Sequence, residues 1–141
     1  MKKILITGVN GFIGSSLRFS LIKFANKFEI WGIDKVCDYE NSLSVNLLEE
    51  NSCQKISKEL PRFDIVIHTA AIAHIKSDIL ETYNKNLQIT ENVLKFFTDN
   101  KTHLIFLSSI SVYGEDKRYL PVSVNDELRP STYYGKSKKD C

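Results

Sequence analysis

The 141-residue sequence predicts an α/β fold, a three-layer sandwich around a parallel β-sheet. Short apolar runs alternate with longer segments of helical periodicity, which is the pattern of strands joined by helices in a parallel sheet. The first apolar run leads directly into a turn with glycines at positions 8, 11 and 14, and a helical pattern begins there. Hydrophobic residues make up 43% of the chain and charged residues 26%, so the composition is that of a folded domain.

The elements are predicted in the order β-α-β-α-β-α-β-α, with right-handed crossovers that place the strands in one Rossmann-type sheet. About four strands are expected. Residues 37–46 are expected to form an irregular polar connection, residues 115–118 a charged loop and residues 121–130 an irregular segment between two prolines. Asp78 is the predicted N-cap of the long third helix, and Ser131 or Thr132 that of the fourth. The predicted strands are residues 3–7, 29–34, 63–67 and 104–107, and the predicted helices are residues 12–26, 48–60, 79–100 and a segment starting near 132.

Two helices carry apolar side chains at helical spacing and are expected to pack against the sheet along these faces. The face of the first helix would contain Ile13, Leu17, Leu21 and Phe24, and the face of the third would contain Ile79, Tyr83, Leu87, Thr90, Leu94 and Phe97. His68, at the end of the third predicted strand, is interpreted as a structural histidine.

The glycine turn predicts a dinucleotide site. Gly8 allows a positive φ, Gly11 allows the backbone to approach a pyrophosphate, and Gly14 allows the helix to pack closely on the strand. The amino terminus of the following helix then binds a phosphate through its N–H groups and its dipole. A glycine-rich turn alone is weak evidence, but here a strand precedes it, a helix follows it and an acidic residue comes about 20 residues later.

That acidic residue, Asp34, predicts a preference for NAD. It ends the second predicted strand, where a carboxylate accepts hydrogen bonds from the adenosine ribose and repels the additional phosphate of NADP. The alternative is a solvated aspartate that opens a turn, and the neighbouring Lys35 weakens the argument for NAD.

Composition argues against several other classes. A net charge of +2 is too small to indicate nucleic-acid binding, and no apolar run approaches the ~20 residues that span a bilayer. Three widely spaced cysteines favour reduced thiols in the cytoplasm over a disulfide framework or a metal site.

Ser109, Tyr134 and Lys138 are the candidate catalytic residues. Tyr134 and Lys138 are four residues apart, so a helix places them on one face, one turn apart. Ser109 follows the last predicted strand, at the sheet edge where ligands bind. A tyrosine beside a lysine and a hydroxyl is suited to proton transfer during oxidation of an alcohol. The alternative is a surface tyrosine and lysine on an ordinary amphipathic helix.

Taken together, these motifs resemble those of the NAD-dependent epimerase/dehydratases, an extended branch of the short-chain dehydrogenase/reductases that includes UDP-glucose 4-epimerase. The resemblance covers essentially the whole chain. Its motifs are residues 7–14, Asp34, Asn46-Leu47, residues 68–71, Asn86-x-x-x-Thr90-x-Asn92, residues 108–114 and residues 134–138.

The resemblance implies an NAD cofactor, a nucleotide-sugar substrate and hydride transfer at a sugar carbon. Ser109, Tyr134 and Lys138 would be catalytic. Asn46, where the family usually has Asp, and Leu47 would contact the adenine, and Ala70 and Ala71 would line the nicotinamide side. The residues implied in cofactor binding are Gly8, Asn10, Gly11, Phe12, Ile13, Gly14, Asp34, Asn46, Leu47, Ala70, Ala71, Tyr134 and Lys138.

A 4-epimerase or 4-dehydrogenase/reductase is favoured over a 4,6-dehydratase, because the family's dehydratases carry Asp-Glu where this chain has Ile110 and Ser111. Family members are much longer, so residues 1–141 are expected to form a partial NAD-binding domain that lacks the sugar-binding part. Such a chain would be inactive alone and would self-associate or form a homo-oligomer through an unpaired strand edge. The alternative is a catalytically silent NAD-binding module.

Overall fold

The structure of the protein is a computed structural model that describes residues 1–73, 79–96, 101–115 and 121–141. They fall into two compact units: the first comprises residues 1–71 and 91–107, and the second comprises residues 72–90 and 108–141. In chain order the elements are β1 (Lys2–Thr7), α1 (Phe12–Leu21), a 3₁₀ turn (Ile22–Phe24), β2 (Phe28–Asp34), β3 (Ser42–Ser44), α2 (Ser52–Glu59), β4 (Ile65–His68), α3 (Leu80–Phe96), β5 (His103–Phe106), a second 3₁₀ turn (Ile110–Tyr113) and α4 (Tyr133–Asp140).

The first unit contains a five-stranded sheet in the order β3-β2-β1-β4-β5, and all four pairings are parallel. The chain places β2 and β3 on one side of β1 and then crosses to place β4 and β5 on the other. In open α/β sheets, ligands bind outside the carboxyl ends of the strands at such a reversal, which here lies between β1 and β4. The predicted Rossmann-type parallel fold is confirmed.

The expectation of about four strands is wrong, because β3 lies within the segment predicted to be irregular. β3 pairs with the end of β2, and Leu43 opposite Ile33 is buried. Three residues are too few for a period-two pattern to be recognised in the sequence. Pairing with β2, a tertiary contact, makes this segment a strand.

The core of the first unit confirms half of the predicted face of α1. Leu17 and Leu21 pack against a buried cluster that includes Ile4 and Ile67. Ile13 and Phe24, in contrast, are each 49% exposed. The helix ends at Leu21 rather than near residue 26, because the chain tightens into a 3₁₀ turn before β2.

The predicted apolar face of α3 is confirmed only in part: Thr90 is buried, and Tyr83 and Leu87 are half-buried. Leu94 is 44% exposed, and Ile79, just before the helix, is 42% exposed. Most of the buried positions are polar, so hydrophobic periodicity identified only Thr90 among them. The predicted N-cap, Asp78, and the last residue of the predicted face, Phe97, lie outside the described residues. The buried side chains are Thr82, Asn86, Ile89, Thr90, Asn92 and Val93.

Candidate functional site

The turn after β1 needs glycine at two positions for packing. Gly8 has a φ of +68°, and a Cβ there would lie 2.8 Å from the backbone of Ala70. A Cβ on Gly14 would lie 2.1 Å from the carbonyl oxygen of Gly8. Gly11 is different, because its Cβ would find a single described atom within 4 Å, the Gly8 carbonyl oxygen at 3.1 Å. Gly11 therefore leaves the outer surface of the turn clear for a ligand.

The amino terminus of α1 fits an anion. Gly11 is the N-cap, it offers no side-chain hydrogen bond, and the first turn contains no acidic residue. The N–H groups of this turn therefore meet solvent or ligand at the positive end of the helix dipole. Phe12, 90% exposed, and Ile13 flank this position. The arrangement suits a pyrophosphate, which supports the predicted cofactor site.

Asp34 ends β2, and backbone groups orient its carboxylate. The Asn10 N–H donates to Oδ2 at 2.9 Å, and the Lys35 N–H donates to Oδ1 at 2.8 Å. The first of these donors belongs to the glycine turn, so the carboxylate is held beside it. Each oxygen retains a lone pair that can accept a hydrogen bond from a ribose hydroxyl. This placement supports the predicted role of Asp34.

A network of hydrogen bonds centred on the buried Thr7 positions the residues after β4. Thr7 Oγ1 and His68 Nδ1 share a 2.6 Å hydrogen bond, and the Ala70 N–H donates to Thr7 Oγ1 at 3.2 Å. The Thr69 hydroxyl donates to the Thr7 carbonyl at 2.6 Å. His68 is 1% exposed, which confirms its interpretation as a structural histidine. These contacts hold Ala70 and Ala71 at the end of β4.

The predicted adenine segment, Asn46-Leu47, is ordered by two amide side chains. Asn46 Oδ1 accepts a hydrogen bond from the Leu48 N–H at 3.2 Å, so Asn46 closes its own turn. Asn92, 4% exposed on α3, donates to the Leu47 carbonyl at 2.8 Å. The Leu47 side chain is buried. Sequence reasoning gave Asn92 no role, although its place in the motif of the resemblance could have indicated one.

In the second unit, Ser109 caps the 3₁₀ turn Ile110–Tyr113. Its Oγ accepts from the Ser111 N–H at 3.2 Å and donates to Ser111 Oγ at 3.1 Å. This turn packs against the start of α4, since a Cβ on Gly135 would lie 2.5 Å from the Ser111 carbonyl oxygen. The structure therefore brings the segment of Ser109 beside the helix turn that carries Tyr134.

Helix α4 begins where the sequence predicts, because the Thr132 hydroxyl accepts a hydrogen bond from the Gly135 N–H at 3.0 Å. Tyr134 is half-buried and lies one turn before Lys138. Lys138 is 7% exposed, and this burial lowers the pKa of its ammonium group from the usual 10.5, with Cys141 opposing the shift. An ordinary surface pair on α4 would have an exposed lysine, so the burial of Lys138 favours the candidate site over that alternative.

Asn86 is a buried residue whose position the apolar pattern did not reveal. Its Oδ1 accepts from the Ile72 N–H at 2.8 Å, and its Nδ2 donates to the Ile72 carbonyl at 3.2 Å and to Ser137 Oγ at 3.2 Å. Ser137, fully buried, donates in turn to the Tyr134 carbonyl at 2.8 Å. Asn86 thus joins α3, the segment at Ile72 and α4 within the second unit.

Replacing Asn86 with alanine is expected to lower the free energy of unfolding by about 2–4 kcal/mol, because it leaves the part-buried backbone groups of Ile72 and the buried Ser137 hydroxyl without this partner. Urea unfolding followed by circular dichroism measures the change. The control is Asn84→Ala, which makes the same exchange at an exposed position of α3 and should stay within about 0.5 kcal/mol of wild type. An equally small loss in Asn86→Ala would contradict the structural role of this network.

The described part of the chain comprises residues 1–73, 79–96, 101–115 and 121–141. Within these ranges no three His, Cys, Asp or Glu side chains cluster as metal ligands do. Over the same ranges, no helix is long and apolar enough to cross a membrane.

Sequence comparison relates the chain to proteins with this arrangement. The profile described as the NAD dependent epimerase/dehydratase family matches residues 4–139. The chain is also similar to a UDP-glucose 4-epimerase from Vibrio cholerae, with 30% identity over 147 residues that cover 99% of this chain and 45% of that protein.

Two solved structures are similar to this chain over nearly its whole length. The ADP-L-glycero-D-manno-heptose-6-epimerase of Helicobacter pylori matches with a TM-score of 0.84 and 26% identity over 99% of this chain and 48% of that one. The UDP-glucuronic acid 4-epimerase of Bacillus cereus, solved in complex with NAD, matches with a TM-score of 0.77 and 27% identity over 97% of this chain and 49% of that one. The chain spans less than half the length of each of these three relatives.

Proposed function

The chain belongs to the NAD dependent epimerase/dehydratase family, and we propose that it carries the cofactor site and the acid–base residues of a nucleotide-sugar 4-epimerase or 4-dehydrogenase/reductase. The observation that carries the proposal is the buried Lys138, one helical turn after Tyr134, on a helix whose start packs against the turn capped by Ser109. Two of the relatives are named as 4-epimerases of UDP-linked sugars, and these names support a nucleotide sugar as the substrate class.

The residues of the first unit fit NAD. The surface left clear at Gly11 and the uncapped start of α1 would hold the pyrophosphate, and Asp34 would accept hydrogen bonds from the adenosine ribose. Asn46 and Leu47 would contact the adenine, and Ala70 and Ala71 would line the nicotinamide side. Gly8 and Gly14 would act by shaping the turn, with Asn10, Phe12 and Ile13 at its surface.

The residues of the second unit suit proton transfer at a sugar hydroxyl. Bound NAD would supply the acceptor for the hydride that leaves the sugar carbon. Tyr134, as its phenolate, would take the proton of the hydroxyl on that carbon and return it when the carbonyl is reduced. The Lys138 ammonium would stabilise the phenolate and bind the nicotinamide ribose, and Ser109 would hold the sugar hydroxyl.

Positions 110 and 111 favour epimerisation or dehydrogenation over loss of water. The family's dehydratases carry two acids there, whereas Ile110 is 71% exposed and Ser111 bonds with Ser109 in this chain. Neither side chain supplies the carboxyl group that dehydration needs. NMR of a nucleotide-sugar panel incubated with NAD tests this on a form of the polypeptide extended by a sugar-binding part, because residues 1–141 are expected to be inactive alone: a 4-epimer or a 4-keto sugar is expected. If NAD binds and no sugar reacts, the alternative of a silent NAD-binding module holds.

Cofactor choice is the most direct test of the site. We expect wild-type protein to bind NAD at least about tenfold more tightly than NADP, because a repulsion of about 1.4 kcal/mol between Asp34 and the additional phosphate gives that ratio. Asp34→Ala should narrow the difference between the NAD and NADP affinities. The control, Asp38→Ala, lies at an exposed position four residues later and should leave this difference unchanged. Calorimetric titration with both cofactors measures it, and equal wild-type affinities would remove this role from Asp34.

A further inference from the structure

We propose that Asn10 is a positioning residue for the adenosine end of the cofactor site, which it orders by fastening the loop after β2 to the glycine turn. The inference rests on the proposed function, since it assumes that Asp34 faces the adenosine ribose. The side chain of Asn10 would act through this loop and would not need to contact the cofactor itself.

Asn10 bonds to both parts of the loop through different groups. Its backbone N–H donates to Asp34 Oδ2 at 2.9 Å. Its side-chain Nδ2 donates to the Val36 carbonyl at 2.5 Å and lies 3.8 Å from Cys37 Sγ. Asn10 therefore contacts the Asp34 carboxylate through its backbone N–H. Through its side chain it contacts the Val36 carbonyl and the Cys37 thiol.

The opposite side of the loop is held by β3. The Cys37 N–H donates to Ser44 Oγ at 2.8 Å, and the Ser44 hydroxyl donates to the Cys37 carbonyl at 3.0 Å. Lys55 of α2 donates to the Ser44 carbonyl at 2.7 Å. Residues 35–37 are thus attached at one side to β3 and at the other to Asn10.

Cys37 packs against the buried cluster that includes Ile4 and Ile67, but residues 35–36 have little apolar packing, so polar bonds hold this part of the loop. Val36 is 72% exposed, and Lys35 is also exposed. The Lys35 N–H is one of the two donors that orient the Asp34 carboxylate. Loss of the Asn10 amide would release residues 35–36 and, with them, this donor, so Asp34 would lose the orientation that suits a ribose.

The test compares Asn10→Ala with Asn10→Asp, and Asn26→Ala, an exposed asparagine outside the site, is the control. NAD and ADP-ribose affinities should fall about tenfold in Asn10→Ala, which is the loss expected for one hydrogen bond to the backbone. Asn10→Asp keeps the size but replaces the donor by an acceptor facing the Val36 carbonyl, so its affinities should fall at least as far. Asn26→Ala should bind as wild type does.

Hydrogen exchange of the ligand-free proteins supplies a second readout. The Lys35 and Cys37 amides should exchange faster in Asn10→Ala than in wild type, while amides of β1 stay unchanged. If wild type binds NAD and Asn10→Ala binds it equally well, the positioning role is overturned while the proposed function stands. If wild type binds neither NAD nor ADP-ribose, the proposed function is overturned and the cofactor role of Asn10 with it.

Discussion

Tyr134→Phe is expected to lower turnover of a nucleotide sugar by about 10²- to 10⁴-fold while NAD affinity stays within a few-fold. Phenylalanine keeps the ring that fills the half-buried site but has no oxygen to take the proton from the sugar hydroxyl. The loss should fall on kcat, because the hydroxyl acts during the chemical step. Single-turnover kinetics with a reactive nucleotide sugar, on whichever form of the polypeptide shows turnover, measures the effect.

The control is Tyr133→Phe, one residue earlier on the same helix. Residue 137, four positions after Tyr133, is a serine, so this tyrosine lacks the four-residue Tyr–Lys spacing that Tyr134 has with Lys138. The Lys136 ammonium lies 5.0 Å from the centre of its ring, a contact that phenylalanine retains. Tyr133→Phe should therefore turn over nearly as wild type does. Near-normal turnover in Tyr134→Phe would show that Tyr134 is not the base, and the proposed catalytic assignment would fail.

The second large effect is expected in the glycine turn, where Gly14→Ala and Gly11→Ala should separate folding from binding. Gly14→Ala should lower the free energy of unfolding by about 3 kcal/mol, because its Cβ would lie 2.1 Å from the Gly8 carbonyl oxygen and 2.8 Å from Val9 Cα. Both neighbours are backbone atoms, so the first turn of α1 must move, and NAD binding should be lost with it.

Gly11→Ala should stay within about 1 kcal/mol of wild-type stability, because among the described residues its Cβ meets one atom within 4 Å, the Gly8 carbonyl oxygen at 3.1 Å. Its NAD affinity should nevertheless fall at least about tenfold, since the methyl group occupies the surface that a pyrophosphate would approach. Urea unfolding and NAD titration of both variants measure the two effects. Unchanged NAD affinity in a folded Gly11→Ala protein would place the pyrophosphate elsewhere.

Local patterns predicted the parts of the fold that depend on local chemistry. Strands β1, β2, β4 and β5 follow continuous apolar runs, and α4 begins at Thr132, whose hydroxyl caps it. The pattern failed on α3, where Thr82, Asn86 and Asn92 are buried. A polar side chain can occupy the interior when its hydrogen bonds are satisfied there, and hydrophobic periodicity does not register such positions.

Sequence alone also determined the residue types of the candidate site and their spacing. Three glycines three residues apart after a strand, an acid at the end of the next strand, and a tyrosine four residues before a lysine are visible without coordinates. Each depends on a short-range constraint: a backbone angle, a strand end or one helical turn.

Only the tertiary structure decided which groups hold these residues in place. β3 is a strand because it pairs with β2, Lys138 is buried, and Asn86 and Asn92 bond to backbone groups 14 and 45 residues away. Asn10 likewise meets Val36 across 26 residues. Contacts of this kind form only when distant segments of the chain fold against one another. The local composition of either segment therefore does not predict its partner. Their physical basis is the need of each buried or closely packed polar group for a hydrogen-bond partner, which the fold supplies from wherever in the chain that partner lies.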